Sequence, residues 1–167
     1  MRVEGTFGDD RLKGGNHDDT LVGLSGSDTL IGGRGDDHLW GYTDGWGGHA
    51  PPGWDNGADT FVYRMTAGRG HDGHDTIHLH DPAGDDTLLL VDRSGRVSNL
   101  AELEHRVTVS NGDGTDFETR GDVIIAWNDG SGSITLDDFF GPTQIAEVSS
   151  LAELSQHLQI AVARDWA

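Results

Sequence analysis

The chain has 167 residues and a formal net charge of −18, with one lysine and with 23 aspartates against six glutamates. So acidic a surface argues against nucleic acid as a partner, because binding phosphates requires a basic face. The absence of cysteine excludes disulfides and thiol chemistry, and no apolar run is long enough to span a membrane. The first six residues contain no apolar signal-peptide segment, so we expect no cleaved secretory signal.

An aspartate recurs every nine residues near the start of the chain, at Asp10, Asp19, Asp28 and Asp37. A leucine follows each of them two residues later, at Leu12, Leu21, Leu30 and Leu39. The block 32–40, Gly-Gly-Arg-Gly-Asp-Asp-His-Leu-Trp, fits the pattern G-G-x-G-x-D-x-U-x (U is apolar) at every fixed position. Glycine permits a tight turn, and the residues after the aspartate favour a short strand. Two nonapeptides should therefore complete one coil, with two small parallel sheets back to back.

Side-chain alternation along each short strand predicts that the four leucines point inward. Leu12 should then stack on Leu30 in one sheet, and Leu21 on Leu39 in the other. Turns eighteen residues apart should lie above one another, which brings carboxylates and backbone carbonyls together along an edge. Such an all-oxygen environment suits Ca²⁺ better than Mg²⁺ or Zn²⁺. A disordered glycine- and aspartate-rich linker is the alternative, and it leaves the leucine spacing unexplained.

The nine-residue period breaks after Gly41, where we predict an inserted loop that carries Tyr42, Trp46 and Trp54. These aromatic residues either form a platform for stacking sugars or fold back over the repeats as a lid. The period resumes twice, with glycine, aspartate and an apolar residue in the repeat positions. The two later sets are Gly57, Asp59 and Phe61, and Gly73, Asp75 and Ile77.

The segments 57–63, 73–77 and 86–90, following the nonapeptides, resemble the RTX (hemolysin-type) calcium-binding modules of bacterial type I secreted proteins. Serralysin-type proteases and the R-modules of mannuronan C5-epimerases carry such modules at their C-termini. The resemblance covers residues 5–92 closely and 93–167 loosely. It implies a parallel β-roll that is disordered in low-calcium cytosol and folded outside the cell. It also implies an uncleaved C-terminal signal read by an ABC-type exporter.

These considerations predict an all-β fold with a parallel β-roll, a solenoid resembling a β-helix, over residues 1–82 and an inserted aromatic loop at 41–54. A C-terminal cap of strands and one or two short helices, with the secretion-signal region, should occupy 83–167. The family often has an acidic residue where this chain has Leu79, so one ligand is either lost or shifted to Asp81. We expect several Ca²⁺ ions, and the candidate ligands are Gly8, Asp10, Gly15, His17, Asp19, Gly26, Asp28, Gly33, Gly35, Asp37, Gly57, Asp59, Gly73, Asp75 and Asp81.

Four histidines at 71, 74, 78 and 80 suggest zinc, since imidazole is a common zinc ligand. Their spacing matches no known structural zinc site, although His78 and His80 would share one face of a strand. The alternative is that they are polar residues on a turn and on the outer face of a strand.

The C-terminal half has capping-box patterns at Asn99 and Ser150, so we expect helices to begin there. The second helix should present Leu151, Leu154, Leu158 and Val162 as one apolar stripe. Residues 107–109 and 122–127 should form strands, and 128–130 should turn into a further strand at 133–136. Residues 111–116 lack the order of an EF-hand loop and are predicted to be a turn.

The sequence has no H-E-x-x-H, G-x-S-x-G or phosphate-binding loop motif and no cysteine nucleophile, so we expect no enzymatic activity. The favoured hypothesis is a calcium-responsive folding and secretion module located outside the cell. The alternative is an extracellular module that binds polysaccharide or a surface partner through the aromatic loop. A small enzyme is the least supported hypothesis.

Overall fold

The computed structural model describes residues 1–42, 57–65, 72–78, 85–112, 121–137 and 148–164. Within these ranges the chain forms mostly strands, together with the short helices α1 (Leu100–Glu104) and α2 (Leu151–Leu154). The strands are β1 (Arg2–Glu4), β2 (Arg11–Lys13), β3 (Thr20–Val22), β4 (Thr29–Ile31), β5 (His38–Trp40), β6 (Thr60–Met65), β7 (His74–His78), β8 (Thr87–Asp92), β9 (Val107–Asn111), β10 (Val123–Trp127), β11 (Ser133–Asp137) and β12 (Gln159–Ala163).

Consecutive strands from β1 to β8 alternate between two sheets, as the nine-residue period predicts. One sheet has the order β1-β3-β5-β7-β11-β10-β9, and the other has the order β12-β8-β6-β4-β2. Every pairing among β1 to β8 is parallel. The prediction of mostly strands, parallel sheets and few short helices is therefore confirmed.

The register of the repeats places one apolar side chain per strand in the core. Leu12 pairs with Leu30, and Leu21 pairs with Leu39, so the predicted stacking is confirmed. Phe61 continues the first stack beyond Leu30, and Ile77 continues the second beyond Leu39. All six side chains are buried, because alternation turns the residue two positions after each repeat aspartate toward the opposite sheet.

Both sheets continue from the nonapeptide strands into the C-terminal strands. β11 adds in parallel to β7, with Leu136 beside Ile77, and β12 adds in parallel to β8, with Val162 beside Leu90. A single apolar cluster accordingly includes residues from both parts of the chain. The division between residues 82 and 83 remains a prediction from sequence.

The antiparallel end of the larger sheet follows the sequence prediction. β9 includes the first predicted strand, β10 begins one residue inside the second at Val123, and β10 turns back antiparallel into β11. Of the turn predicted at 111–116, residues 113–116 lie outside the described residues. The inserted loop likewise lies mostly outside them, since the description stops at Tyr42 and resumes at Gly57.

Both predicted helix starts are confirmed. The Asn99 side chain accepts a hydrogen bond from the Glu102 N–H at 2.9 Å, and the Ser150 hydroxyl accepts one from the Glu153 N–H at 3.1 Å. The long apolar stripe predicted for the second helix is wrong, because α2 ends at Leu154 and the chain becomes strand β12 at Gln159. The backbone of β8 offers hydrogen bonds to a further strand, and the branched residues of β12 suit that conformation.

Candidate calcium-binding site

A ladder of aspartates, buried except for the half-buried Asp10, runs along the edge where the strands of the five-stranded sheet begin. The backbone N–H of Asp10 donates to Asp28 Oδ1 at 2.8 Å, and the N–H of Asp28 donates to Asp59 Oδ1 at 2.8 Å. Asp59 in turn donates to Asp86 Oδ1 at 2.8 Å. The carboxylates of Asp28, Asp59 and Asp86 therefore each bind the backbone of the preceding coil, which confirms that Asp10 lies near the turn of Asp28.

The second ladder follows the larger sheet. The Asp19 N–H donates to Asp37 Oδ1 at 2.8 Å, and the Asp37 N–H donates to Asp75 Oδ1 at 3.1 Å. All three side chains are buried, with no more than 4% of each exposed. The ladder ends where β11 places Ile134 opposite Asp75. Burial raises the pKa of Asp75 to about 8, and the neighbouring Asp37 carboxylate adds to that rise.

The second oxygen of Asp37 carries the strongest sign of a cation site. Asp37 is only 1% exposed, and its Oδ2 has no hydrogen-bond partner. Burial raises the pKa of this carboxyl to about 6. An ionised oxygen at a dry position is costly unless a proton, a donor or a cation neutralises it. The group therefore fits a site that binds a positive ion above pH 6.

The first glycine of each repeat leaves space for oxygens to converge. A Cβ added to Gly14 would lie 2.2 Å from the Gly32 carbonyl oxygen and 2.6 Å from Asp19 Oδ2, and one added to Gly32 would lie 2.2 Å from Asp37 Oδ2. Only a residue without a side chain keeps these oxygens accessible. Carboxylate and carbonyl oxygens are the ligands that Ca²⁺ prefers, so the residues present fit this ion.

Side chains alone do not complete a site in the part of the chain that the structure describes. There, no three histidine or acidic side chains are arranged so that they could hold a metal ion. A calcium ion at these turns must therefore take several of its ligands from backbone carbonyls. This requirement explains why a glycine-rich turn accompanies each aspartate.

The turn glycines predicted as ligand positions stack coil on coil. A Cβ on Gly26 would lie 2.6 Å from the Gly8 carbonyl carbon, and one on Gly57 would lie within 2 Å of the Gly26 carbonyl oxygen. On the other edge the same close approach links Gly33 to Gly15, Gly35 to His17, and Gly73 to Gly35. The structure thus brings together every predicted position that it describes, and Asp81 lies outside the described residues.

Sequence reasoning missed Asp86 as a member of the first ladder. Its side chain is buried, and its Oδ1 accepts the hydrogen bond from the Asp59 backbone. The signal was available, because Gly84, Asp86 and Leu88 repeat the spacing of glycine, aspartate and apolar residue found in the nonapeptides.

An outer row of polar side chains runs beside the two ladders. Asp36 is exposed, as expected for the variable position. It is also bonded, since its N–H donates to Asp18 Oδ1 at 2.9 Å and its Oδ1 accepts from the His74 N–H at 3.0 Å. The Ser27 N–H makes the equivalent bond to Asp9 Oδ1 at 2.8 Å. The outer row therefore aligns the turns, whereas the two ladders contain the buried carboxylates.

The histidines described do not converge on a metal. His78 is buried, with its Nδ1 2.5 Å from Asp137 Oδ2 and its Nε2 3.2 Å from His38 Nδ1. Its ring also stacks on Trp40, with the ring centres 3.5 Å apart. His74 is exposed and bonds to the Ser133 hydroxyl. Both ring nitrogens of His78 are thus already used, and His71 and His80 lie outside the described residues.

Tyr42 does not lie on an exposed aromatic platform. It is 3% exposed and packs edge-on against Trp40 at 5.7 Å between ring centres. Trp46 and Trp54, on which a sugar-binding loop would depend, lie outside the described residues. Among the helices of the described residues, none is long and apolar enough to cross a membrane.

Comparison with known families gives one assignment. Residues 2–30 and 22–44 match the model of the RTX calcium-binding nonapeptide repeat, in four copies. No curated protein matches the chain significantly. The matched residues contain β1 to β5 and the first four aspartates of the two ladders. These turns and strands are therefore RTX calcium-binding nonapeptide repeats of the hemolysin type, and repeats of this family bind calcium.

Proposed function

We propose that this protein is a calcium-responsive module that folds into a β-roll when it binds several Ca²⁺ ions outside the cell. In this role it supports type I secretion and stabilises the exported chain, with no catalytic chemistry of its own. The observation that carries the proposal is the buried Oδ2 of Asp37, which has no hydrogen-bond partner and lies beside a glycine of the oxygen-lined turn.

Electrostatics explains why folding would depend on the ion. Each Ca²⁺ adds two positive charges to a chain whose net charge is −18, and it relieves repulsion between stacked aspartates. A site with a Kd of about 10⁻⁴–10⁻³ M stabilises the folded form by about 0.4–1.4 kcal/mol at about 1 mM Ca²⁺. Several such sites sum to a few kcal/mol, which is comparable to the stability of a small domain.

The same dependence would couple folding to export. At the low calcium level of the cytosol the sites would contribute almost nothing, and the chain would remain unfolded enough to pass through an ABC-type exporter. Outside the cell, millimolar calcium would fill the turns and fold the chain. The RTX match supports this role, since repeats of this family are typical of secreted proteins.

A calcium titration of chelator-treated protein, followed by far-UV circular dichroism, tests the proposal. We expect a cooperative gain of β signal near millimolar Ca²⁺ that the same concentration of Mg²⁺ does not reproduce. Asp37→Asn keeps the hydrogen-bonding oxygen but removes the charge, and it should shift the midpoint to higher calcium. A protein that is fully folded in chelator and unchanged by calcium would refute the proposal.

A further inference from the structure

We propose that a cavity in the C-terminal part of the chain binds a small organic carboxylate with an apolar body. The cavity has a volume of about 440 Å³ and lies between the turn after β8, the end of α1 and the end of β10. Ligand pockets typically have volumes of about 300–1,000 Å³. None of the ladder aspartates lines it, so it is distinct from the calcium sites.

The floor of the cavity is apolar. It consists of Met65, Val97, Leu103 and Trp127, each at most 7% exposed. The Trp127 ring is stacked on Tyr63, with the ring centres 4.8 Å apart, which fixes the indole and covers one of its faces. Sugars usually stack on an open aromatic face, whereas this mainly aliphatic floor suits a hydrocarbon body.

The rim of the cavity is cationic in a strongly acidic protein. Arg96, His105 and Arg106 line it, and all three are exposed. Among the described residues, neither of these guanidinium groups makes an ion pair, although acidic residues greatly outnumber basic ones. Arginine presents a planar fork of donors that matches a carboxylate. Within the described part of the chain, these arginines thus lie above an apolar floor without acidic partners, which is the arrangement that an amphipathic anion requires.

The two acidic residues at the cavity already have partners. Asp92 is buried, and its carboxylate accepts hydrogen bonds from the N–H groups of Ser94 and Val97 at 2.8 and 2.7 Å. It also accepts from the Arg96 N–H at 2.9 Å, which fixes the turn that carries this rim residue. Asp129 accepts from the Ser131 N–H at 3.0 Å. These carboxylates therefore shape the cavity, while the guanidinium groups provide its donors.

Calorimetric titration of the full chain in saturating Ca²⁺ tests the inference with 2-naphthoate as the probe. Its neutral analogue 2-naphthalenemethanol tests the need for charge, and D-galacturonate tests whether a sugar acid is preferred. We expect naphthoate to bind at least about tenfold more tightly than the alcohol, because hydrogen bonds between two charged groups are stronger than those to a neutral hydroxyl. Galacturonate should bind more weakly than naphthoate.

Variants of the rim separate charge recognition from simple apolar binding. Arg96→Gln and Arg106→Gln should each weaken naphthoate binding about tenfold or more, whereas Arg93→Gln, an exposed change outside the rim, should leave it within about twofold. Circular dichroism in calcium confirms that each variant is folded. Equal binding of acid and alcohol, tighter binding of galacturonate, or no binding by the folded protein would overturn the proposal.

Discussion

Two turns at the same sheet edge, one coil apart, place their equivalent aspartates, Asp19 and Asp37, in opposite environments. At Asp19 the Oδ2 accepts the Gly15 N–H at 2.6 Å, and the Met1 amino group lies 2.7 Å from Oδ1. At Asp37 the Oδ2 is buried and accepts no hydrogen bond. The contact with the Met1 amino group and the bond from Gly15 hold the pKa of Asp19 below its usual value, whereas burial raises that of Asp37 to about 6.

The backbone accounts for part of this difference. Gly33, which follows the first glycine of the fourth repeat, has a φ of +115°, a conformation that is costly for any residue with a side chain. The equivalent Gly15 has no such angle, and its N–H is free to bind the carboxylate. Two repeats that share their paired glycines and their aspartate, but differ at His17 and Gly35, thus form one turn that satisfies its own aspartate and one that leaves the carboxylate for a cation. The backbone of each turn and its neighbours in the stack together determine whether the aspartate is left for a cation.

The largest effect should come from the core beneath these turns. Leu30 is fully buried between Leu12 and Phe61, whereas Leu12 lies on the edge strand of its sheet and is 7% exposed. We expect Leu30→Ala to lower the free energy of unfolding by about 3–5 kcal/mol, and Leu12→Ala by clearly less. Urea denaturation in saturating Ca²⁺ measures both. Equal losses would show that inner and edge coils are packed alike.

A glycine substitution tests the backbone difference directly. Gly33→Ala should cost about 2 kcal/mol or more, because φ is positive and the new Cβ would meet the Gly15 carbonyl oxygen at 2.2 Å. Gly15→Ala is the matched control, since its Cβ would approach nothing closer than 3.7 Å. Thermal unfolding in calcium compares them. The turn geometry described above would be wrong if the two variants lost the same stability.

Removal of the Asp37 charge should have opposite effects on stability in chelator and in calcium. In chelator, Asp37→Asn should be more stable than the unsubstituted protein, because a buried charge is removed while an oxygen remains to accept from Asp19. In millimolar calcium it should be less stable by about 1–3 kcal/mol, since the ion loses a charged ligand.

Alanine substitutions extend this comparison to the outer row. Asp28→Ala and Asp37→Ala should each weaken calcium-dependent folding more than Asp36→Ala, which removes an exposed carboxylate. The midpoint of the calcium titration, read by circular dichroism, ranks the three variants. Equal shifts from all three variants would contradict the assignment of the buried ladder aspartates as calcium ligands.

The smallest effect should be the dependence of stability on pH. One carboxyl changes the free energy of unfolding by at most about 1.4 kcal/mol per pH unit. Because the folded pKa of Asp37 is raised to about 6, its contribution to stability is fully present below pH 4 and is lost as pH rises through 6. Asp75, with a pKa raised to about 8, extends the loss to that pH. Urea denaturation in chelator should show this decline, and saturating calcium should remove it. A flat profile in chelator would contradict the raised pKa values.

The nine-residue period was enough to predict the alternating strands, the leucine stacks and the pairing of aspartate turns. It was enough because a three-residue strand with one inward side chain permits only one register. The helix starts at Asn99 and Ser150 were predictable for a similar reason, since a capping side chain acts on its own next turn. All of these features depend on contacts that are local or that repeat at a fixed spacing.

Other features depend on which strand or turn lies beside a segment in space, and only the tertiary structure determines them. The stripe from Leu151 to Val162 has a helical period, yet its second half forms β12 because the edge of β8 is available to it. Asp86 joins the ladder because β8 follows β6 in the sheet, and the different states of Asp19 and Asp37 arise from their places in the stack. Local sequence determines which residues can turn, pair or bind a cation, whereas sheet edges and burial determine which of them do so.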